Sequence, residues 1–184
     1  MLMATVTGCW RRESEQDIQL SLERLCDTLS IQYRADIKII NNETLSEDKK
    51  VALLRKEILI KHEQYTSESR SFWHRVVEYE NYPWLWYKEQ LDNDKRRILR
   101  LLNHIVFRTQ GIGALANRLL DRLDEIRRIV ITSEEYLAEK KEYRADKRMQ
   151  HIENNSDIIA ISQIAQALKP SQPTNKTIVH VHNN

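Results

Sequence analysis

Apolar residues recur along this chain at intervals of three and four, the spacing that gathers side chains on one face of an α-helix. Ile18, Leu22, Leu25, Leu29 and Tyr33 form the first such stripe, which begins after Ser14. Residues 35–42 break the period with a short alternation ending in two Asn, and are predicted to be a connector. Thr44 and Glu47 have capping-box spacing, so a second helix is expected to start there, with Val51, Leu54, Ile58 and Tyr65 on its buried face. Pro83 disfavours helical geometry at Tyr82 and fits the first turn of a new helix near Trp84.

A heptad follows. Leu91, Ile98, Ile105, Ile112, Leu119 and Ile126 stand seven apart, with less regular companion positions, which predicts a bundle-type seam rather than a two-stranded zipper. Gly111-Ile112-Gly113 interrupts it. Two Gly in a helix interior cost about 2 kcal/mol together, so a break or kink is expected, the alternative being one long helix with a weak point. Thr132 and Glu135 suggest another capping box. Beyond it, residues 133–153 are rich in Glu, Lys and Arg, with a thin seam of Tyr136, Leu137, Tyr143 and Met149. Such a helix either projects or waits for a partner. Asn154-Asn155-Ser156 reads as a linker and cap, Ile158 to Leu168 as a short apolar helix stopped by Pro170, and the remainder as a mobile tail.

The expected architecture is therefore all-α, an elongated antiparallel, coiled-coil-like bundle of three to five long helices. Its parts are an N-terminal arm (1–13), the bundle (14–132), a charged helical extension (133–153), and a linker, short apolar helix and flexible tail (154–184).

Composition narrows the alternatives. With only three Gly and three Pro in 184 residues, the chain lacks the turns an all-β fold requires. Its longest uncharged run among these elements, Ile158 to Leu168, has 11 residues, against about 20 for a membrane span. Mean hydropathy is −0.62. No signal sequence is recognised in Met1 to Trp10, which places the protein in the cytoplasm as an expectation. Cys9 and Cys26 lie 17 apart with no further cysteine, which supports neither a zinc site nor a disulfide framework. Cys26 falls within the first apolar stripe and is expected in the core.

Candidate chemistry is sparse. Seven of the 13 aromatic residues fall between Phe72 and Tyr87. Large rings could fill a corner between two helices, or Trp73, Trp84 and Trp86 could anchor a partner, since Trp and Tyr dominate buried interface centres. Tyr136 and Tyr143 are further partner-binding candidates on the charged helix. Residues 94–132 hold nine basic and four acidic side chains, whereas residues 35–93 hold nine and eleven. The two segments could neutralise each other at a bundle rim, or Arg96, Arg97 and Arg100 could track nucleic-acid phosphates.

Three Arg-His pairs have six residues between them: Arg55 with His62, Arg97 with His104 and Arg144 with His151. The helical ribonuclease-like HEPN family uses an Arg and a His at such spacing, where His can serve as general acid or base and Arg can hold a phosphate. Chance alone supplies on the order of 1.7 such pairs here, and no family resemblance is drawn. Arg97 and His104 are the catalytic candidates, because they lie within the basic stretch. His180 and His182 are too few to make a metal site, and no phosphate-binding Gly loop or nucleophile elbow occurs. No cofactor or metal is expected. The leading expectation is a noncatalytic assembly protein that binds a protein partner or itself. A nucleic-acid-binding helical module using residues 95–128 is the alternative, and a peripheral membrane adaptor the third.

Overall fold

A computed structural model describes residues 14–71, 79–106 and 108–167, excluding the side chains of 69–71 and 164–167. Among the described residues every regular element is an α-helix: α1 (Glu15–Gln32), α2 (Arg34–Ile40), α3 (Glu47–Ser71), α4 (Pro83–Leu102), α5 (Gly111–Thr132) and α6 (Glu134–Ala167). The expected arm at 1–13, the tail from 168 onward and Trp73 lie outside the described residues.

The chain divides into two units, Met1–Lys141 and Glu142–Asn184. In the first, α1 starts with a reciprocal cap: Ser14 Oγ accepts from the Asp17 N–H at 3.2 Å while Asp17 Oδ2 accepts from the Ser14 N–H at 3.2 Å. Of its predicted stripe, Leu22, Leu25, Leu29 and Tyr33 are buried and Ile18 is half-buried; Cys26 is buried beside them. The expected connector at 35–42 is instead largely α2. Tyr33, Asp36 and Ile40 are buried at intervals of three and four, a helical face whose middle member is a carboxylate. The Ile37-Lys38-Ile39 alternation hides that face from a hydropathy pattern.

Neither Thr44 nor Thr132 caps a helix as expected, and both helices start later. Thr44 donates through its N–H and Oγ1 to Asn42 Oδ1, at 3.0 and 2.6 Å, and α3 begins only at Glu47. At the α5–α6 junction Ser133, not Thr132, accepts the Tyr136 N–H at 3.3 Å, while Thr132 Oγ1 donates back to Arg128 O at 2.9 Å.

The heptad is divided between two antiparallel helices. α4 ends at Leu102, carrying Leu91 and Ile98. Ile105 is buried in the turn, and Ile112, half-buried, and the buried Leu119 and Ile126 belong to α5. Asp92 meets Arg127 at 2.7 Å and Lys95 pairs with Asp124, residue numbers rising on α4 as they fall on α5. The glycines open α5 rather than close α4. Gly111 has φ +52°, and a Cβ on Gly113 would lie 2.6 Å from the backbone oxygen of Arg108, so the returning chain can press against the first turn only if that residue lacks a side chain. α1, α4 and α5 pack on one another, with α2 and α3 completing a bundle-like core.

Within the second unit, helix continues without a break from Glu142 to Ala167. The expected linker at Asn154-Asn155-Ser156 is helical, with Ser156 Oγ donating to Ile152 O at 2.9 Å. A Ser can stay in a helix by bonding back one turn in this way. No described helix is long and apolar enough to cross a membrane.

Candidate functional site

The chemically richest part of the first unit is a buried polar network where α1, α2, α3 and α4 converge. Asp36 and Asp94 are both buried. Tyr87 OH donates to Asp36 Oδ2 at 2.8 Å and Tyr33 OH donates to Asp94 Oδ2 at 2.9 Å. Their rings meet edge to face, with centroids 6.2 Å apart. Lys61 on α3 is ion-paired with Asp36, and its ammonium lies 5.2 Å from the Tyr33 ring centroid and 5.7 Å from that of Tyr87. Arg97 Nη1 donates to Asp94 Oδ1 at 2.9 Å. Removal from water is costly for a carboxylate unless donors and a cation replace its hydration; the network supplies both to Asp94 and to Asp36 Oδ2, while Asp36 Oδ1 is buried without a hydrogen-bond partner.

Its chemistry is locked rather than poised. Burial, then the negative charge of Asp94, pushes the Tyr33 hydroxyl well above its ordinary range. Burial and Asp36 do the same to Tyr87. Both phenols are therefore fixed as donors. An open cleft of about 440 Å³ lies against this network, lined by Gln32, Tyr33, Lys61, Tyr65, Trp86 and Tyr87. Its charged members are Glu68 and Lys61, and Lys61 is already paired with Asp36. Burial also raises the Cys26 thiol, with Asp27 adding to the effect, to about 11, so the buried thiol is a small core hydrophobe rather than a nucleophile.

Among the described residues, Trp86 on α4 meets rings of α3, while Phe72, like Trp73, lies outside them. Trp84 is 3% exposed and Trp86 7% exposed, which places these two partner-anchor candidates in the core of the folded chain. Trp86 lies between His62 and Tyr65, at centroid distances of 5.2 and 5.1 Å. His62 Nε2 donates to the Tyr79 carbonyl at 3.0 Å, bracing a residue with φ +66°. Tyr136 is also buried, with Lys140 Nζ 5.6 Å from its ring centroid. Tyr143, in the second unit, is half-buried, and Lys147 Nζ lies 5.4 Å from its ring centroid.

Glu139 is a site residue that hydropathy could not reveal. Its Oε2 accepts the backbone N–H groups of Trp84 at 2.9 Å and Leu85 at 3.1 Å. These are end donors that helix geometry leaves without partners, and a carboxylate there also complements the helix dipole. Together with the Arg55–Glu135 ion pair, this contact holds the first turns of α6 on the body.

The basic stretch is partly neutralised: Lys95, Arg96, Arg97, Arg127 and Arg128 meet carboxylates, whereas Arg108 and Arg122 bond uncharged oxygens. Arg96 donates to Glu89 at 3.0 Å and to Asn93 at 2.6 Å, Arg122 to Asn41 at 2.6 Å, and Arg128 to Glu125 at 2.8 Å and Glu47 at 3.3 Å. Asp92 shows the effect: burial would raise its carboxyl, but the hydrogen bonds from Lys88 and Arg127 prevail and hold it below the usual range. Arg100 and Arg118 are exposed and make no such contact among the described residues. The catalytic candidates are not on one helix face: Arg97 is on α4, paired with Asp94, whereas His104 is exposed in the turn after that helix ends.

The second unit has a different character. Every described side chain from Arg144 to Gln163 is exposed, including Met149, Ile152, Ile158, Ile159 and Ile161. No protein-family profile, curated protein or solved structure matches the chain.

Proposed function

We propose that the protein is a noncatalytic helical assembly module in which the bundle is a rigid body and the stretch 142–167 of α6 is the binding element. One observation carries this reading: a run of 20 residues, from Arg144 to Gln163, is exposed on every side chain although it holds five large apolar residues. An isolated helix in water is marginal, because one hydrogen bond per residue barely offsets the backbone entropy lost. Asn154, Asn155 and Ser156 weaken it further. Burial of the isoleucines against another helix would supply the missing stabilisation, with flanking charges selecting register. The locked tyrosines and paired Lys61 support a structural role for the network in the body.

The nucleic-acid reading draws on Arg100 and Arg118, with Arg108 and Arg122 bonded only to uncharged oxygens, since the other cations of the stretch already meet carboxylates.

The test is the full chain carrying Ile152→Asp with Ile159→Asp, compared with the wild type by sedimentation and by the proteins that co-purify. The expected result is loss of an assembled species, of either kind, with the melting of the body unchanged. An identical mass and an identical set of co-purifying proteins would overturn the proposal.

A further inference from the structure

We infer that the occupant of the 142–167 helix is the same helix of a second copy, running parallel and in register; this rests on the assembly reading above and specifies its partner. Ala145, Met149, Ile152, Ser156 and Ile159 recur at intervals of four, three, four and three. They make a seam about 21 Å long at 1.5 Å per residue. The small residues Ala145 and Ser156 let the two helices approach. Ser156 enters the seam at little polar cost, because its hydroxyl already donates to Ile152 O at 2.9 Å.

Charge then selects the orientation. Arg148 and Glu153 flank the seam on opposite sides, five residues apart, and neither makes an ion pair among the described residues. In a parallel pair, Arg148 of one copy faces Glu153 of the second copy, and symmetry supplies the contact twice. An antiparallel pair would instead set Arg148 against Asn155 and so forfeit both Arg148–Glu153 contacts. A pairing through this seam leaves Ile158 and Ile161 on the outer surface, so the inference also says which isoleucines do not matter.

The experiment uses full-length chains and sedimentation over a range of concentrations. Wild type should form a dimer. Arg148→Glu alone and Glu153→Arg alone should each weaken dimerisation at least tenfold, whereas a 1:1 mixture of the two should form a heterodimer of wild-type strength. Ile158→Asp with Ile161→Asp should leave the dimer intact. Oxidised Met149→Cys should give a 149–149 disulfide, identified by peptide mapping. A strictly monomeric wild type, failure of the mixture to recover, cross-linking of Met149→Cys only to Ile152→Cys, or loss of the dimer in the Ile158/Ile161 variant would each overturn the inference. If wild type is monomeric yet binds another protein that the Ile152→Asp/Ile159→Asp variant does not, self-pairing fails and the assembly reading stands. If that variant changes neither mass nor partners, both fail.

Discussion

The α4–α5 pair and the 142–167 stretch of α6 are built from similar residues, apolar positions at helical spacing among many charges, yet they end differently. On α4 and α5 the apolar positions Leu91, Ile98, Leu119, Leu123 and Ile126 are buried, and charges at their margins find partners across the helices. On 142–167, Met149, Ile152 and Ile159 recur at helical spacing in the open, and Arg148 and Glu153 make no ion pair among the described residues. Among the described residues, the contrast identifies what the first pair has and the second lacks: an opposing helix. Periodicity states only that a face exists; the rest of the chain decides whether anything covers it.

The body should be most sensitive where its packing encloses charge. Asp36→Ala leaves the Lys61 ammonium without its counterion and the buried Tyr87 hydroxyl without its acceptor. Removing one member of a buried ion pair costs about 3–5 kcal/mol. Urea denaturation should show a loss of that order; a loss below about 1 kcal/mol would mean the network is incidental to the body and would blunt the contrast with α6.

That network also marks the limit of what hydropathy could show. The stripes of α1 and α3 were legible because apolar side chains and burial coincide there, at Leu22, Leu29, Leu54 and Ile58. α2 was not, because its inward face is completed by Asp36, and a pattern of apolar positions assigns a carboxylate to solvent. The heptad was legible as a pattern but not as geometry. The turn from Asn103 to Gln110 returns α5 to the same core without losing the sevenfold phase, so two helices read as one seam. Trp84 and Trp86 could have been anchors or filling on composition alone; His62, Tyr65 and Glu139, distant in sequence, decide their placement.

The return of α5 offers a second perturbation, smaller than the first. In Gly113→Ala the new Cβ meets the backbone of Arg108 at 2.6 to 2.8 Å, atoms that cannot rotate away. Overpacking of this kind costs about 1–3 kcal/mol. Thermal melting of the variant should fall accordingly, with hydrogen exchange accelerating first in the turn 103–110 and the start of α5. An unchanged melting temperature would show that the turn is loosely held and that α4 and α5 are not fixed by their connection.

The smallest effect is expected from Ile159→Ala, and it separates the two regions most directly. Buried Ile or Leu to Ala substitutions typically cost about 2–5 kcal/mol because they leave a cavity. Ile159 is 56% exposed, so no cavity forms when its side chain is cut back. At protein concentrations low enough to dissociate any assembly, the unfolding free energy should change by less than about 0.5 kcal/mol, as for other surface substitutions. Amides from Arg144 to Gln163 should exchange faster than those of α5 under the same conditions, since local opening there breaks few buried contacts. Raising the concentration should slow their exchange in the wild type but not in the variant, because only the intact seam can be covered. A loss of 1 kcal/mol or more in the dilute variant would place Ile159 inside the cooperative body, and the distinction between a covered and a waiting helix would collapse.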